Sequence, residues 1–169
     1  TRANRLASVL LARGLVQEEV VAVVTERNLE WLAAVLGIFK AGGAYLPLDP
    51  RFPADRIATI LRRSGCRLTV TQAQSGEALE AARADLAASG DGGEIDVLDL
   101  ELLDVDISDP DNLGVQAGPD RLAYLCPSDA EGTGSPGEPE GTSDEHVYRL
   151  NHVLARIEEL GIGPRDVVA

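Results

Sequence analysis

Short β-branched apolar runs alternate along this chain with longer segments whose apolar residues recur every three or four positions. That alternation predicts repeated strand–helix units feeding a mostly parallel sheet flanked by helices, an α/β fold. In the opening segment Leu6, Val9, Leu10 and Leu11 share a helical face, and Gly14 stands where a left-handed residue closes a helix. The run "VVAVVT" at 20–25 is continuously apolar, as a strand buried on both faces requires. Asn28 then predicts an N-cap for a helix running to Lys40, with Trp31, Leu32, Val35, Leu36 and Phe39 at helical spacing and Gly42 and Gly43 stopping it.

Further along, "AYLPLDP" at 44–50 reads as a short strand that its prolines end. "PADRIATILRRSG" at 53–65 reads as a helix with Pro53 in its first turn and Gly65 at its close. "CRLTVT" at 66–71 is the next strand, residues 75–89 an alanine-rich helix, and "EIDVLDLELLDV" at 94–105 a strand leading into an acidic connection. "RLAYLC" at 121–126 is a further strand. Residues 127–144, rich in Gly, Pro, Ser, Asp and Glu, predict a flexible acidic loop. A last amphipathic helix carries Leu150, Val153, Leu154, Ile157 and Leu160 on one side and ends at Gly161, and "DVVA" at 166–169 reads as the start of another strand. Both ends therefore read as cut. The expectation is a single partial domain over 1–169, with an interrupted sheet and apolar helix faces left exposed.

Composition narrows the function. At 169 residues, 44% apolar and 25% charged, the chain suits one domain. A net charge of −13 opposes unassisted binding to nucleic acid or to an anionic membrane surface. Cys66 and Cys126 lack the spacing of a metal site and read as small core residues, and no apolar run approaches the length of a bilayer span. A reducing, cytoplasmic setting follows as the expectation.

"FKAGGAYLPLDPRFPADRI" at 39–57 resembles the second core motif of the adenylation domains of nonribosomal peptide synthetases, members of the AMP-binding, adenylate-forming superfamily. "RANRLASVLLARG" at 2–14, "GPDRLAYLC" at 118–126 and "LGIGPRDVVA" at 160–169 resemble the same family's flanking stretches, and His146 and Asn151 fall where it has a His and an Asn. The Pro-Leu-Asp-Pro turn speaks against an acyl-CoA synthetase or luciferase-like relative. The resemblance implies the N-terminal part of an adenylate-forming fold. It also implies an ATP- and Mg-dependent ligation, in which an amino acid carboxylate attacks the α-phosphate and a carrier-protein thiol then takes the acyl group. The implied partners are neighbouring condensation and phosphopantetheinyl carrier domains. The family's selectivity pocket, magnesium-holding carboxylate, ribose-binding aspartate and catalytic lysine all lie further along than this chain extends, so no catalytic residue and no metal ligand is assigned.

What the resemblance does place here is the family's phosphate loop, of the form Thr-Ser-Gly-Ser/Thr-Thr-Gly-x-Pro-Lys-Gly. Its counterpart is "GTGSPGEPEG" at 132–141. Thr133 and Ser135 keep hydroxyls and Gly134, Gly137 and Gly141 keep glycines, which let backbone N–H groups approach phosphate oxygens. Glu140 stands in the lysine's place, and counting from the preceding strand shows an apparent insertion of four residues. Between Arg121 and Arg149 there is no Lys or Arg, against six carboxylates: Asp129, Glu131, Glu138, Glu140, Asp144 and Glu145. Two unit charges about 4 Å apart interact by roughly 4 kcal/mol at an effective dielectric near 20, so this reversal weakens any polyphosphate grip. The competing reading of the segment is a solvated surface loop that binds nothing. For Lys40 a helix-end cation suffices, for Asp49 a turn-forming carboxylate, and for His146 a partly exposed neighbour of a helix start.

Overall fold

The computed structural model describes residues 1–90, 93–104, 111–115, 118–127 and 141–163. In chain order the elements are α1 (Arg2–Ala12), β1 (Val20–Val24), α2 (Leu29–Lys40), β2 (Ala44–Leu48), α3 (Ala54–Ser64), β3 (Leu68–Thr71), α4 (Gly76–Ser89), β4 (Asp96–Asp99), β5 (Leu122–Pro127), β6 (Gly141–Glu145) and α5 (His146–Leu160). They build one six-stranded sheet in the order β4-β3-β1-β2-β5-β6. The first five strands are parallel, and β6 returns antiparallel to β5.

The period-two alternation of the strands sorts side chains to two faces. Val21, Val23, Tyr45, Leu68 and Val70 meet Leu6, Leu10, Ala34 and Ile38 of α1 and α2. Ala22, Val24, Leu46 and Leu48 meet Ile57, Leu61, Leu79 and Leu86 of α3 and α4. The continuously apolar β1 is thus a strand with helices on both sides, as is β2.

Helix ends follow the local chemistry. Asn28 Oδ1 accepts from Trp31 N at 2.9 Å, capping α2. Gly65 closes α3 at φ +63, a left-handed value that suits glycine. Pro53 sits at the N-cap of α3, one position before the first turn in which the sequence had placed it, because its fixed φ serves the entry as well. Pro47 lies within β2, an interior strand. It has no N–H to donate, yet it keeps its place in the β1–β2 register opposite Val23; the described β2–β5 register is the single pair Tyr45–Tyr124.

The acidic segment read as a loop over 127–144 needs correction at both margins. Pro127 ends β5, and residues 141–144 belong to β6, because the open edge of β5 offers ladder partners that a polar sequence can use without any apolar pattern. Residues 128–140 lie outside the described residues, as does "DVVA". The apolar side of α5 is exposed along Tyr148, Leu150, Val153, Leu154, Ile157 and Leu160, in line with the expected uncovered helix face.

Packing of α1 on α2 depends on Gly37. A Cβ there would lie 2.9 Å from Leu6 Cδ2 and 3.0 Å from the Ala3 carbonyl oxygen. Alanine gains about 1 kcal/mol in helix propensity, but overpacking against backbone costs about 1–3 kcal/mol. Gly37→Ala is therefore expected to lower, not raise, the urea midpoint of unfolding.

Candidate functional site

The carboxyl ends of the parallel strands lie along one edge of the sheet, and the candidate phosphate segment springs from that edge. β5 leaves it at Pro127 and β6 returns at Gly141, paired with each other in the register, as Cys126 is with Thr142. Gly141 is therefore fixed as the first residue of β6. Thr133, Gly134, Ser135, Gly137 and Glu140 lie outside the described residues.

The flanks of that segment decide which cations stand near it. Trp31 Nε1–H donates to Tyr45 Oη at 2.7 Å. The Tyr45 and Tyr124 rings lie 5.5 Å apart, and the Arg149 guanidinium stacks over Tyr124 at 4.1 Å. Arg149 also pairs with Asp144 at 2.7 Å, so the first cation after the acidic segment is already engaged by a carboxylate and a ring. His146, the first residue of α5, packs edge-on against Phe39 at 5.1 Å, and burial lowers its pKa, which favours the neutral imidazole. Burial pushes the Tyr124 hydroxyl up to about 12, with Cys126 beside it acting in the same direction. Burial also raises Tyr45, against the lowering effect of its bond from Trp31. Neither phenol is a base near neutral pH.

The remaining candidates take structural places. Lys40 ends α2 and donates to Asn112 Oδ1 at 2.6 Å. Asp49 accepts from the Arg51 backbone N–H at 2.9 Å and from its guanidinium at 2.6 Å, which holds its carboxyl down at about 2. That is the turn-forming role, reinforced by an ion pair. A cavity of about 340 Å³ beside this turn is lined by Thr25, Arg27, Trp31, Tyr45, Asp49 and Arg51 among others. Cys66 is buried with its thiol directed to the Leu68 carbonyl at 3.0 Å, and burial lifts its pKa to about 11, so it is a core residue. Cys126 is half-buried in β5, and Asn151 is exposed on α5. Among the described residues no group of three or more His, Cys, Asp or Glu is placed to hold a metal ion, and no helix is long and apolar enough to cross a membrane.

One determinant was missed by sequence reasoning. Glu18 has φ +65, and from that left-handed position its carboxylate takes the Leu122 N–H at 3.0 Å and pairs with Arg121 at 3.3 Å. It anchors the start of the strand that delivers the candidate segment, and nothing in the pair Glu18-Glu19 between α1 and β1 signals this.

A model of the AMP-binding enzyme family matches residues 1–128. The chain belongs to that family. Within it, the relatives of this AMP-binding domain include synthetases of peptides. It is 38% identical over 167 residues to phosphinothricin tripeptide synthetase PhsB of Streptomyces viridochromogenes, covering 99% of this chain and 13% of that protein. It is 37% identical over 166 residues to tyrocidine synthase 3 of Brevibacillus parabrevis, covering 98% of this chain and 2% of that protein. Among solved structures, the nonribosomal peptide synthetase FmoA3 in its α-methyl-L-serine-AMP-bound form superposes with a TM-score of 0.73 at 30% identity, over 98% of this chain and 16% of that one. Apo MatB of Rhodopseudomonas palustris gives 0.77 at 25% identity, over 98% and 32%. This AMP-binding domain thus spans a small part of the proteins it matches. Its sheet and flanking helices are those of the N-terminal part of adenylate-forming enzymes, and its family is that of the peptide-synthetase adenylation domains.

Proposed function

We propose that the chain is part of an amino-acid-activating adenylation domain, of the kind that forms an aminoacyl adenylate with ATP and loads a carrier protein, and that the acidic phosphate segment leaves this one inactive. The observation that carries this is the near-complete coverage of the chain by peptide-synthetase relatives, together with a β5–β6 edge that presents the candidate phosphate segment beside the other strand ends. In this reading Thr133, Gly134, Ser135, Gly137 and Gly141 would face the phosphates of Mg-ATP, with Glu140 where the family has lysine. Backbone amides and hydroxyls supply donors there, while the charge that phosphoryl transfer needs is of the wrong sign. Arg149 is tied to Asp144 and His146 favours its neutral form, so neither offsets it.

A second reading is favoured by the same acidity and by the uncovered side of α5: a non-catalytic remnant that serves as a structural or docking platform beside condensation and carrier domains. Amino-acid-dependent exchange of labelled pyrophosphate into ATP, measured on the chain within its full-length synthetase, tests the inactivity. The expected result is no exchange above background. Robust exchange with any amino acid would overturn the inactivity and establish a working ligase.

A further inference from the structure

The shortest described ladder in the sheet joins β2 to β5: β1 and β2 run in register from Val20–Ala44 to Val24–Leu48, whereas β2 and β5 share only the pair Tyr45–Tyr124. Beyond that seam, β5, β6 and α5 are tied to one another. β6 pairs antiparallel with β5, and Arg149 of α5 stacks over Tyr124 of β5 and pairs with Asp144 of β6. The first turn of α5 is fixed to the lead-in of β5, since His146 N–H donates to the Arg121 carbonyl at 3.0 Å and Val147 N–H to the Pro119 carbonyl at 2.9 Å. No residue of α5 is buried, so its seating comes from this first turn. These elements form one local body. Both margins of the 128–140 segment belong to it, because β5 ends at Pro127 and β6 begins at Gly141.

Ring contacts join this body to α2 and β2, with His146 against Phe39 at 5.1 Å and Tyr124 against Tyr45 at 5.5 Å. A polar tie comes from Glu18. Because β2 lies between β1 and β5 in the sheet, a residue just ahead of β1 reaches β5 only by passing the start of β2. Glu18 does this with both ends. Its N–H donates to the Gly42 carbonyl, just ahead of β2, at 2.8 Å, while its carboxylate accepts the Leu122 N–H at 3.0 Å and pairs with Arg121 at 3.3 Å. One residue thus links the lead-ins of three strands. The neighbouring Glu19 is engaged elsewhere: its carboxylate pairs with Arg67 at 2.6 Å and accepts the Val16 N–H at 2.9 Å. At φ +65 glycine would make the same turn without the crowding that a Cβ brings, so the turn alone does not call for a glutamate. Backbone strain persists where the surrounding structure over-determines it, and such positions gather at functional elements. What the glutamate adds at this strained position is the reach of its carboxylate to β5.

We propose that Glu18 is a positioning residue for the candidate phosphate segment: its carboxylate is a latch that sets β5, β6 and the first turn of α5 as one body against the rest of the sheet. Resting on the reading of residues 128–140 as that segment, this role is nonetheless testable without nucleotide. Native-state hydrogen exchange read residue by residue, alongside urea unfolding, compares the native chain with Glu18→Gly and Glu18→Gln. Glycine relieves the left-handed backbone as it removes the carboxylate, so the urea midpoint is expected to change little. Exchange at Leu122, His146 and Val147 is expected to accelerate at least about 10-fold, while the buried Val23 and Val70 keep their native rates. Glutamine retains a carbonyl acceptor for the Leu122 N–H and is expected to restore most of that protection. Native exchange at Leu122 in Glu18→Gly, acceleration matched by Val23 and Val70, or a glutamine variant no better protected than the glycine one would each overturn the latch. A failure of the phosphate reading would appear instead in Mg-ATP binding after Glu140→Lys, so the two fail in different measurements.

Discussion

Replacing Glu140 by lysine and removing the four extra residues of the segment is expected to tighten Mg-ATP binding at least about 10-fold. The substitution changes the local charge by two units. Each close pair is worth roughly 4 kcal/mol at 4 Å in a medium of dielectric near 20, and about 1.4 kcal/mol is already a factor of ten. Solvent and salt take away much of the full value, which is why the expectation is set at the low end. Calorimetry with the native and altered chains measures it, and amide shifts in 128–145 locate it. An unchanged dissociation constant would mean that the sign of the charge is not what limits this segment. Tight Mg-ATP binding there by the native chain would remove the argument for inactivity altogether.

Leu46→Ala is expected to destabilise the fold by about 2–5 kcal/mol, the range for deleting a fully buried leucine. Leu46 has no exposed surface and sits in β2, bonded to β1 on one side and β5 on the other, against the layer of Ile57, Leu61 and Leu79. That layer is shared by α3 and α4, so collapse of one wall into the cavity disturbs two helices. Domains of ordinary stability unfold at a cost of about 5–15 kcal/mol, and α5 adds no buried residue to this one. With a denaturant slope of about 2 kcal/mol per molar urea, the midpoint should fall by about 1–2.5 M. A shift under about 0.3 M would contradict the packing described.

Much of the fold was legible because its signals are local. Asn28 before an apolar helix, Gly65 after one and the unbroken "VVAVV" each depend on neighbours within a few positions. The strand β6 was not legible, since "GTSDE" has no apolar alternation and forms only because β5 presents an unpaired edge. The left-handed Glu18 was hidden for a similar reason: its partners Arg121 and Leu122 lie more than a hundred positions away. The phosphate-segment candidates came from resemblance, and of them only Gly141 falls among the described residues. The order of the strands could not be read from sequence, because it is set by tertiary packing.

The chain has one tryptophan, and its indole is pinned at both ends of the ring system: Nε1–H on the Tyr45 oxygen, and the Arg27 guanidinium over the ring. It therefore carries its own optical reporter. Loss of the Arg27 guanidinium, as in Arg27→Gln, changes the field over the indole and is expected to shift its emission. Emission at a single wavelength thus follows the state of the sheet edge at which α2 begins.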